Sequence, residues 1–312
     1  MAVTPLQVPR HHSNFSPETL AEARSRTGLS VSVCLPARDE AATVGQIVAT
    51  VRRCLMERFE IVDEVVVIDD GSIDSTAEAA TWEGARVVAE SSILGDSGLG
   101  SGKGNAMWKS LHACRGDLIC WVDADIRNFE EHFVTGLIGP LLTVPEIGFV
   151  KGFYRRPIHG EPNGGGRVTE LVARPLISLL FPQLAHIVQP LSGEYAGRRE
   201  ILESIPFVQG WGVEFGMLVD IIEKYGAKVI AQVDLGVREH RNRPLDQLSL
   251  QATAIIATAL RRAGINPTSI NETELTRFTE DYSMERVAIE TSERPPMESI
   301  LAYLEQRRDL KA

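Results

Sequence analysis

Short apolar runs alternate with helix-period stretches through the first 125 residues, and that alternation predicts the architecture. Leu29-Ser30-Val31-Ser32-Val33-Cys34-Leu35 has a strand pattern ending at Pro36, residues 41–55 carry helical spacing, and Glu64-Val65-Val66-Val67-Ile68 is a second strand. Together they make a βαβ unit. Asp74-Ser75-Thr76 caps a helix to about Gly84, Ala85–Ala89 gives a third strand, and Asn105–Arg115 a helix leading into the buried run Leu118-Ile119-Cys120-Trp121-Val122. Such alternation predicts an α/β fold with a mostly parallel twisted sheet and ligands at the C-terminal ends of its strands.

The flanks are less regular. Ser16 ahead of Pro17 opens a helix to Arg26 in an N-terminal arm, residues 1–28, expected outside the core. Beyond Ile147, Gly and Pro punctuation marks loops of the kind that carry recognition. Helices are expected from Val168 to Leu180, interrupted at Pro175, from Glu214 to Tyr225, and from Leu245 to Ala263 with Gly264 as its stop; Lys228–Ala231 reads as a strand. Residues 265–312 form a polar tail with one candidate helix, Met297–Arg308, and the apolar stretch Leu250–Leu260 offers a homodimer contact.

The composition narrows the class of partner. With 44% hydrophobic residues in 312, a sizeable core is available, while a net charge of −10 excludes nucleic acid or an anionic membrane as the main partner. Any phosphate must therefore be held by a local cluster. Four cysteines without a C-x-x-C pair predict reduced thiols and no zinc site. No apolar stretch approaches the roughly 20 residues of a membrane span, and Met1–Asn14 has no signal-peptide core, so the expected location is cytoplasmic.

Candidate chemistry gathers at the strand ends. Asp123-Ala124-Asp125 puts two carboxylates one residue apart, hence on one side of the strand, where Mg²⁺ or Mn²⁺ would relieve their repulsion; a solvated strand-end turn is the alternative. Pro36-Ala37-Arg38-Asp39-Glu40 and Asp69-Asp70-Gly71-Ser72 end the first two strands and could face a nucleoside or serve as turn and cap residues. Gly98-Leu99-Gly100-Ser101-Gly102-Lys103-Gly104 precedes a helix and suits a diphosphate, although Gly104 and Asn105 after Lys103 exclude a P-loop.

As an ordered set these motifs resemble the nucleotide-sugar half of GT-A glycosyltransferases. The second half resembles the family of glucosyl-3-phosphoglycerate synthases and their mannosyl relatives, on Tyr154-Arg155-Arg156-Pro157, Gly164-Gly165-Gly166-Arg167-Val168-Thr169, Gln189-Pro190-Leu191-Ser192-Gly193-Glu194-Tyr195, Gly210-Trp211-Gly212-Val213-Glu214 and Val237-Arg238-Glu239-His240-Arg241-Asn242-Arg243-Pro244. The resemblance implies a GT-A domain over residues 29–264, with a nucleotide-binding half to residue 125 and an acceptor-binding half beyond it. It also implies sugar transfer from a nucleotide-sugar donor, UDP-glucose or another NDP-glucose, to the 2-hydroxyl of 3-phosphoglycerate, with retention and with Mg²⁺ or Mn²⁺. Pro36, Ala37, Glu40, Asp70 and Ala124 would then surround the donor, Lys103 its uracil or diphosphate, and Asp123 its nucleoside or a metal-bound water. Asp125 and His240, with Asp123 as a third candidate, would hold the metal. Gly166, Arg167, Thr169 and Asn242 would bind the acceptor, while Glu214, Arg238, Leu191 and Trp211 would surround the sugar. Arg38-Asp39 and Trp211 depart from the family's usual residues. GDP-mannose use or dual donor use is the alternative, with a sugar-nucleotide pyrophosphorylase and a non-catalytic nucleotide-sugar sensor further off.

Two residues support this reading by their own chemistry. Arg167 after three glycines sets a guanidinium beside open backbone donors, which suits a phosphate monoester. Around His240, Arg238, Arg241 and Arg243 disfavour protonation and would leave an imidazole able to bind metal. Glu214, between Gly212 and Gly216, could orient sugar hydroxyls or cap a helix.

Overall fold

In the computed structural model, which describes residues 8–157, 166–239, 245–265 and 273–310, the chain opens with β1 (Arg10–His11) and α1 (Pro17–Thr27). The Ser16 hydroxyl caps α1 by accepting from the Thr19 amide, and Gly28, at φ +66°, ends it. Then comes the predicted series: β2 (Val31–Ala37), α2 (Val44–Thr50) running into a π-helical turn at Val51–Arg58, β3 (Glu64–Asp69), α3 (Thr76–Trp82), β4 (Arg86–Ala89), α4 (Gly102–Ala113) and β5 (Leu118–Trp121). Beyond it lie α5 (His132–Thr143), β6 (Phe149–Arg155), a π turn at Thr169–Ala173 leading into α6 (Arg174–Leu180), β7 (Tyr195–Arg198), α7 (Arg199–Glu203), β8 (Phe207–Val208) and α8 (Val213–Tyr225). The chain closes with β9 (Ile230–Val237), α9 (Leu245–Arg262), a hairpin of β10 (Glu274–Phe278) and β11 (Met284–Ala288), β12 (Glu293–Arg294) and α10 (Leu301–Asp309).

Eight strands form one sheet in the order β1-β9-β6-β7-β5-β2-β3-β4, parallel except for β7, which runs antiparallel to both its neighbours. Apolar residues cover both faces, as parallel strands require: Val33, Leu35, Val67 and Val122 pack on one side, and Cys34, Val66, Ile119 and Trp121 on the other. The reversal of β7 sets Tyr195 opposite Trp121, so the residues just before β7 lie beside the acidic C-terminal end of β5.

Several expectations change. The N-terminal arm is part of the core: β1 pairs with β9 through Arg10 and Val233, and Phe15, Leu20 and Ala23 are buried. A strand two residues long is held by backbone hydrogen bonds and leaves no hydrophobic period to read. Helix α4 starts at Gly102, three residues early, because its glycines and Lys103 form the first turn. Pro175 does not end its helix: the π-helical stretch Thr169–Ala173 runs straight into α6 through Ala173, which keeps helical dihedrals (φ −66°, ψ −41°), so the helix is irregular just before the proline but continuous. Strand β9 reaches Val237 and so carries Arg238 to the sheet's edge. The face of α9 offered for a dimer is used within the chain: Ala254, Ile255 and Ala259 are buried, and α9 packs on α8. The tail returns to the body, with β12 antiparallel to β8.

Candidate active site

Strands β2, β3 and β5 all end at one edge of the sheet, where a cavity of about 740 Å³ opens. Pro36, Ala37, Glu40 and Asp70 line it from the ends of β2 and β3, and Asp123, Ala124 and Asp125 from the end of β5. Lys103 enters from the first turn of α4. Gly166, Arg167 and Thr169 face them from the other half, joined by Leu191, Trp211, Glu214 and Arg238. The described residues assigned donor, metal, acceptor and sugar roles thus reach one cavity, while Asp69, Gly71, Ser72 and Gly98–Gly100 of the same motifs do not line it; His240 and Asn242 lie outside the described residues.

Alternating charge organises the floor. Lys103 Nζ lies 2.6 Å from Asp123 Oδ1 and 2.9 Å from Glu214 Oε1. One terminal nitrogen of Arg238, Nη2, donates to Asp123 Oδ2 at 2.8 Å and to Asp125 Oδ1 at 2.6 Å, while Nη1 donates to the Tyr154 hydroxyl at 2.8 Å. Burial alone would raise the Asp123 carboxyl, but Lys103 and Arg238 outweigh it and hold Asp123 far below the usual carboxylate range. Lys103 loses to burial and gains more from Asp123 and Glu214, so its ammonium is firmly retained.

Some functional residues escaped the sequence reading. Glu194 is fully buried behind Arg238, with Oε1 3.2 Å from Arg238 Nε in an ion pair that lacks hydrogen-bond alignment. Burial pushes the Glu194 carboxyl up despite Arg238. Lys151, also buried, donates to the Ser192 carbonyl at 2.7 Å and sets its ammonium 4.2 Å from the Tyr195 ring centroid, and burial pulls it down to about 7. Gly193 lets the turn before β7 approach the strand-end carboxylates, because a Cβ there would run into the Asp123 side chain. A charged residue inside an apolar strand entry, as in Ser192-Gly193-Glu194-Tyr195, was the available signal for Glu194. No signal marked Val287–Glu290 of the tail, which line the same cavity.

Among the described residues no group of three metal-ligating side chains converges. The carboxylates of Asp123 and Asp125 nevertheless converge on a single guanidinium nitrogen, so the pair is already arranged to share one cation, and its oxygen donors suit Mg²⁺ or Mn²⁺.

Comparison with known proteins agrees with this geometry. The model of Glycosyl transferase family 2 matches residues 32–205. A glucosyl-3-phosphoglycerate synthase of Petrotoga mobilis is 46% identical over 95% of this chain and 95% of its own. The structure of glucosyl-3-phosphoglycerate synthase from Mycobacterium tuberculosis in complex with Mn²⁺, UDP-glucose and phosphoglyceric acid superposes with a TM-score of 0.85 at 43% identity, covering 95% of this chain and 99% of that one. Mannosyl-3-phosphoglycerate synthase from Rubrobacter xylanophilus gives a TM-score of 0.87 at 38% identity, covering 94% and 97%. The expected α/β, GT-A architecture stands, and the chain belongs to the glucosyl-3-phosphoglycerate synthase family of metal-dependent glycosyltransferases.

Proposed function

We propose that this enzyme transfers glucose from UDP-glucose to the 2-hydroxyl of 3-phosphoglycerate, with Mg²⁺ or Mn²⁺ held by Asp125 and Asp123 and with His240 as a further ligand. The observation that carries the reading is the meeting, in one cavity, of a strand-end carboxylate pair, a lysine at a helix start and an arginine-bearing glycine turn on the facing wall. Pro36, Ala37, Glu40 and Asp70 bind the nucleoside side of the donor. Lys103 holds the diphosphate, exchanging part of its pairing with Asp123 for phosphate oxygens, and Arg238 neutralises the same carboxylates from behind. When bound, the metal supplies positive charge to the diphosphate leaving group. Glu214 orients the sugar hydroxyls, with Leu191 and Trp211 shaping the sugar's space. Gly166, Arg167, Thr169 and Asn242 fix the acceptor phosphate, which places the 2-hydroxyl near the anomeric carbon.

Glu214 is ion-paired to Lys103, a poor state for a covalent nucleophile. Transfer with retention is therefore assigned to front-face attack. The bond from the anomeric carbon to the β-phosphate oxygen breaks as the bond to the acceptor oxygen forms, and that phosphate oxygen takes the hydroxyl proton. A cytoplasmic location and a homodimeric state complete the proposal, the dimer through a surface other than the α9 face that packs within the chain.

The test is a matrix of donors, UDP-glucose and GDP-mannose, against acceptors, 3-phosphoglycerate and free glycerate, with Mn²⁺ and product detection by mass. Glucosyl-3-phosphoglycerate as the dominant product is expected. Preference for GDP-mannose, which the likeness to the Rubrobacter xylanophilus enzyme makes the second reading, would reassign the donor. No product in any combination would overturn the function.

A further inference from the structure

The loop that delivers Lys103 to the cavity is held locally by the Ser97 and Gly98 amides, which donate to the Leu94 and Gly95 carbonyls, and by Asn105 and Lys109, which donate to the Leu99 carbonyl. Residues 97–101 include two glycines at positive φ, Gly98 at +83° and Gly100 at +64°, and Gly102 at +77° opens α4. Such a segment is entropically costly to hold in one shape. To these local bonds the chain adds three from far along its length, to the Ser97 and Gly98 carbonyls and from the Ser101 amide.

Arg294, in β12, reaches the loop from behind the cavity. Its Nε donates to Asn105 Oδ1 at 2.7 Å, Nη2 to the Gly98 carbonyl at 2.9 Å, and Nη1 to the Ser97 carbonyl, with the guanidinium 5.2 Å from the Trp108 ring centroid. Next to it, Gln209 accepts from the Ser101 amide at 3.0 Å and donates to the Ser292 hydroxyl at 2.6 Å. The fit is close: a Cβ at Gly100 would strike Arg294, Gln209 and Asn105 together. Arg294 is only 7% exposed, so its charge is committed to the loop and not to solvent.

We infer that Arg294 is a positioning residue for donor binding: the tail segment Ser292–Arg294 clamps the glycine-rich loop and so sets where Lys103 and the first amides of α4 meet a nucleoside diphosphate. This rests on the assignment of Lys103 to the donor diphosphate. Each bond that Arg294 makes runs from a charged donor to a backbone carbonyl or a buried amide oxygen, and carbonyls deprived of that partner would leave the loop to sample other shapes.

Hydrogen exchange and UDP binding in Mn²⁺ buffer, measured on wild type and Arg294→Met, test the inference. Exchange over residues 97–103 in the ligand-free protein should quicken, UDP should bind about tenfold more weakly, and the KM for donor should rise while that for acceptor stays within about twofold. Arg294→Lys should recover part of the donor affinity. Should Arg294→Met fail to fold, Ser292→Ala tests the same clamp through Gln209, with a smaller shift in the same direction. Unchanged exchange would overturn the clamp; faster exchange with unchanged UDP affinity, or equal rises in both KM values, would overturn its role in donor binding. If wild type itself bound no UDP, the donor assignment would fail, and with it the role of Arg294 in donor binding, while exchange would still decide the clamp.

Discussion

The two ends of strands β2, β3 and β5 carry the same residue type in opposite circumstances. At the N-terminal end, Asp117 accepts from the Ser30 amide at 3.0 Å and the Ser30 hydroxyl at 2.7 Å, Glu64 accepts from Ser32 Oγ at 2.6 Å and Arg86 at 2.7 Å, and Asp63 accepts from the Val31 amide at 2.7 Å. Asp117 is held by a hydroxyl and a fixed amide, and the cations that join Glu64 and Asp63, Arg86 and Arg24, pair with them away from the cavity. At the C-terminal end, Asp123 and Asp125 are instead met by the long cations Lys103 and Arg238 at the wall of an open cavity. A carboxylate satisfied by neighbouring hydroxyl and amide donors, as Asp117 is, is structural, whereas Asp123, balanced in part by Lys103 at the cavity wall, can let that lysine turn to a phosphate when a metal supplies charge.

The comparison breaks most visibly at Arg238. Replacing it by Met leaves buried Glu194 and the Asp123–Asp125 pair without their shared cation, which should cost about 3–5 kcal/mol and abolish transfer. Denaturant titration should show that loss, and added Mn²⁺ should restore part of it by supplying charge to the same pair. At the other end, Asp117→Ala should cost about 2 kcal/mol, since the Ser30 amide and hydroxyl lose their acceptor, while turnover per folded molecule stays within about twofold.

The same site gives a smaller, pH-dependent signature. Burial would raise the Asp117 carboxyl, but the hydrogen bonds from Ser30 outweigh it and hold it below its ordinary value. As pH falls, the unfolded chain therefore takes up this proton first. The stability that Asp117 contributes should be full above about pH 5 and disappear as pH falls through the unfolded and then the lowered folded value. Urea titrations of wild type and Asp117→Ala should show a constant gap from neutral pH to about pH 5 and a narrowing gap below it.

How much of this was legible in the sequence depends on how local each signal is. The carboxylates after β3 and β5 and the Gly-Lys-Gly loop announce themselves by apolar runs and turn residues a few positions away, and all reach the cavity. Glu194 was harder, because its place depends on β7 running against the parallel strands, a pairing that no local period encodes. Arg294 was harder still. It meets Asn105 across 189 residues of chain, from a two-residue strand in a polar tail. The N-terminal strand β1 was missed for the same reason, since backbone pairing at a sheet edge needs no apolar pattern.

The most direct test of the central claim compares Asp125→Ala with Asp117→Ala, assaying glucosyl-3-phosphoglycerate formation from UDP-glucose per folded molecule. The upper variant should be folded and lose activity by about a thousandfold or more, as expected when transition-state charge is no longer stabilised, while the lower variant keeps its turnover and loses stability. An active Asp125→Ala enzyme, or a folded but inactive Asp117→Ala enzyme, would contradict the division between the two ends of the sheet.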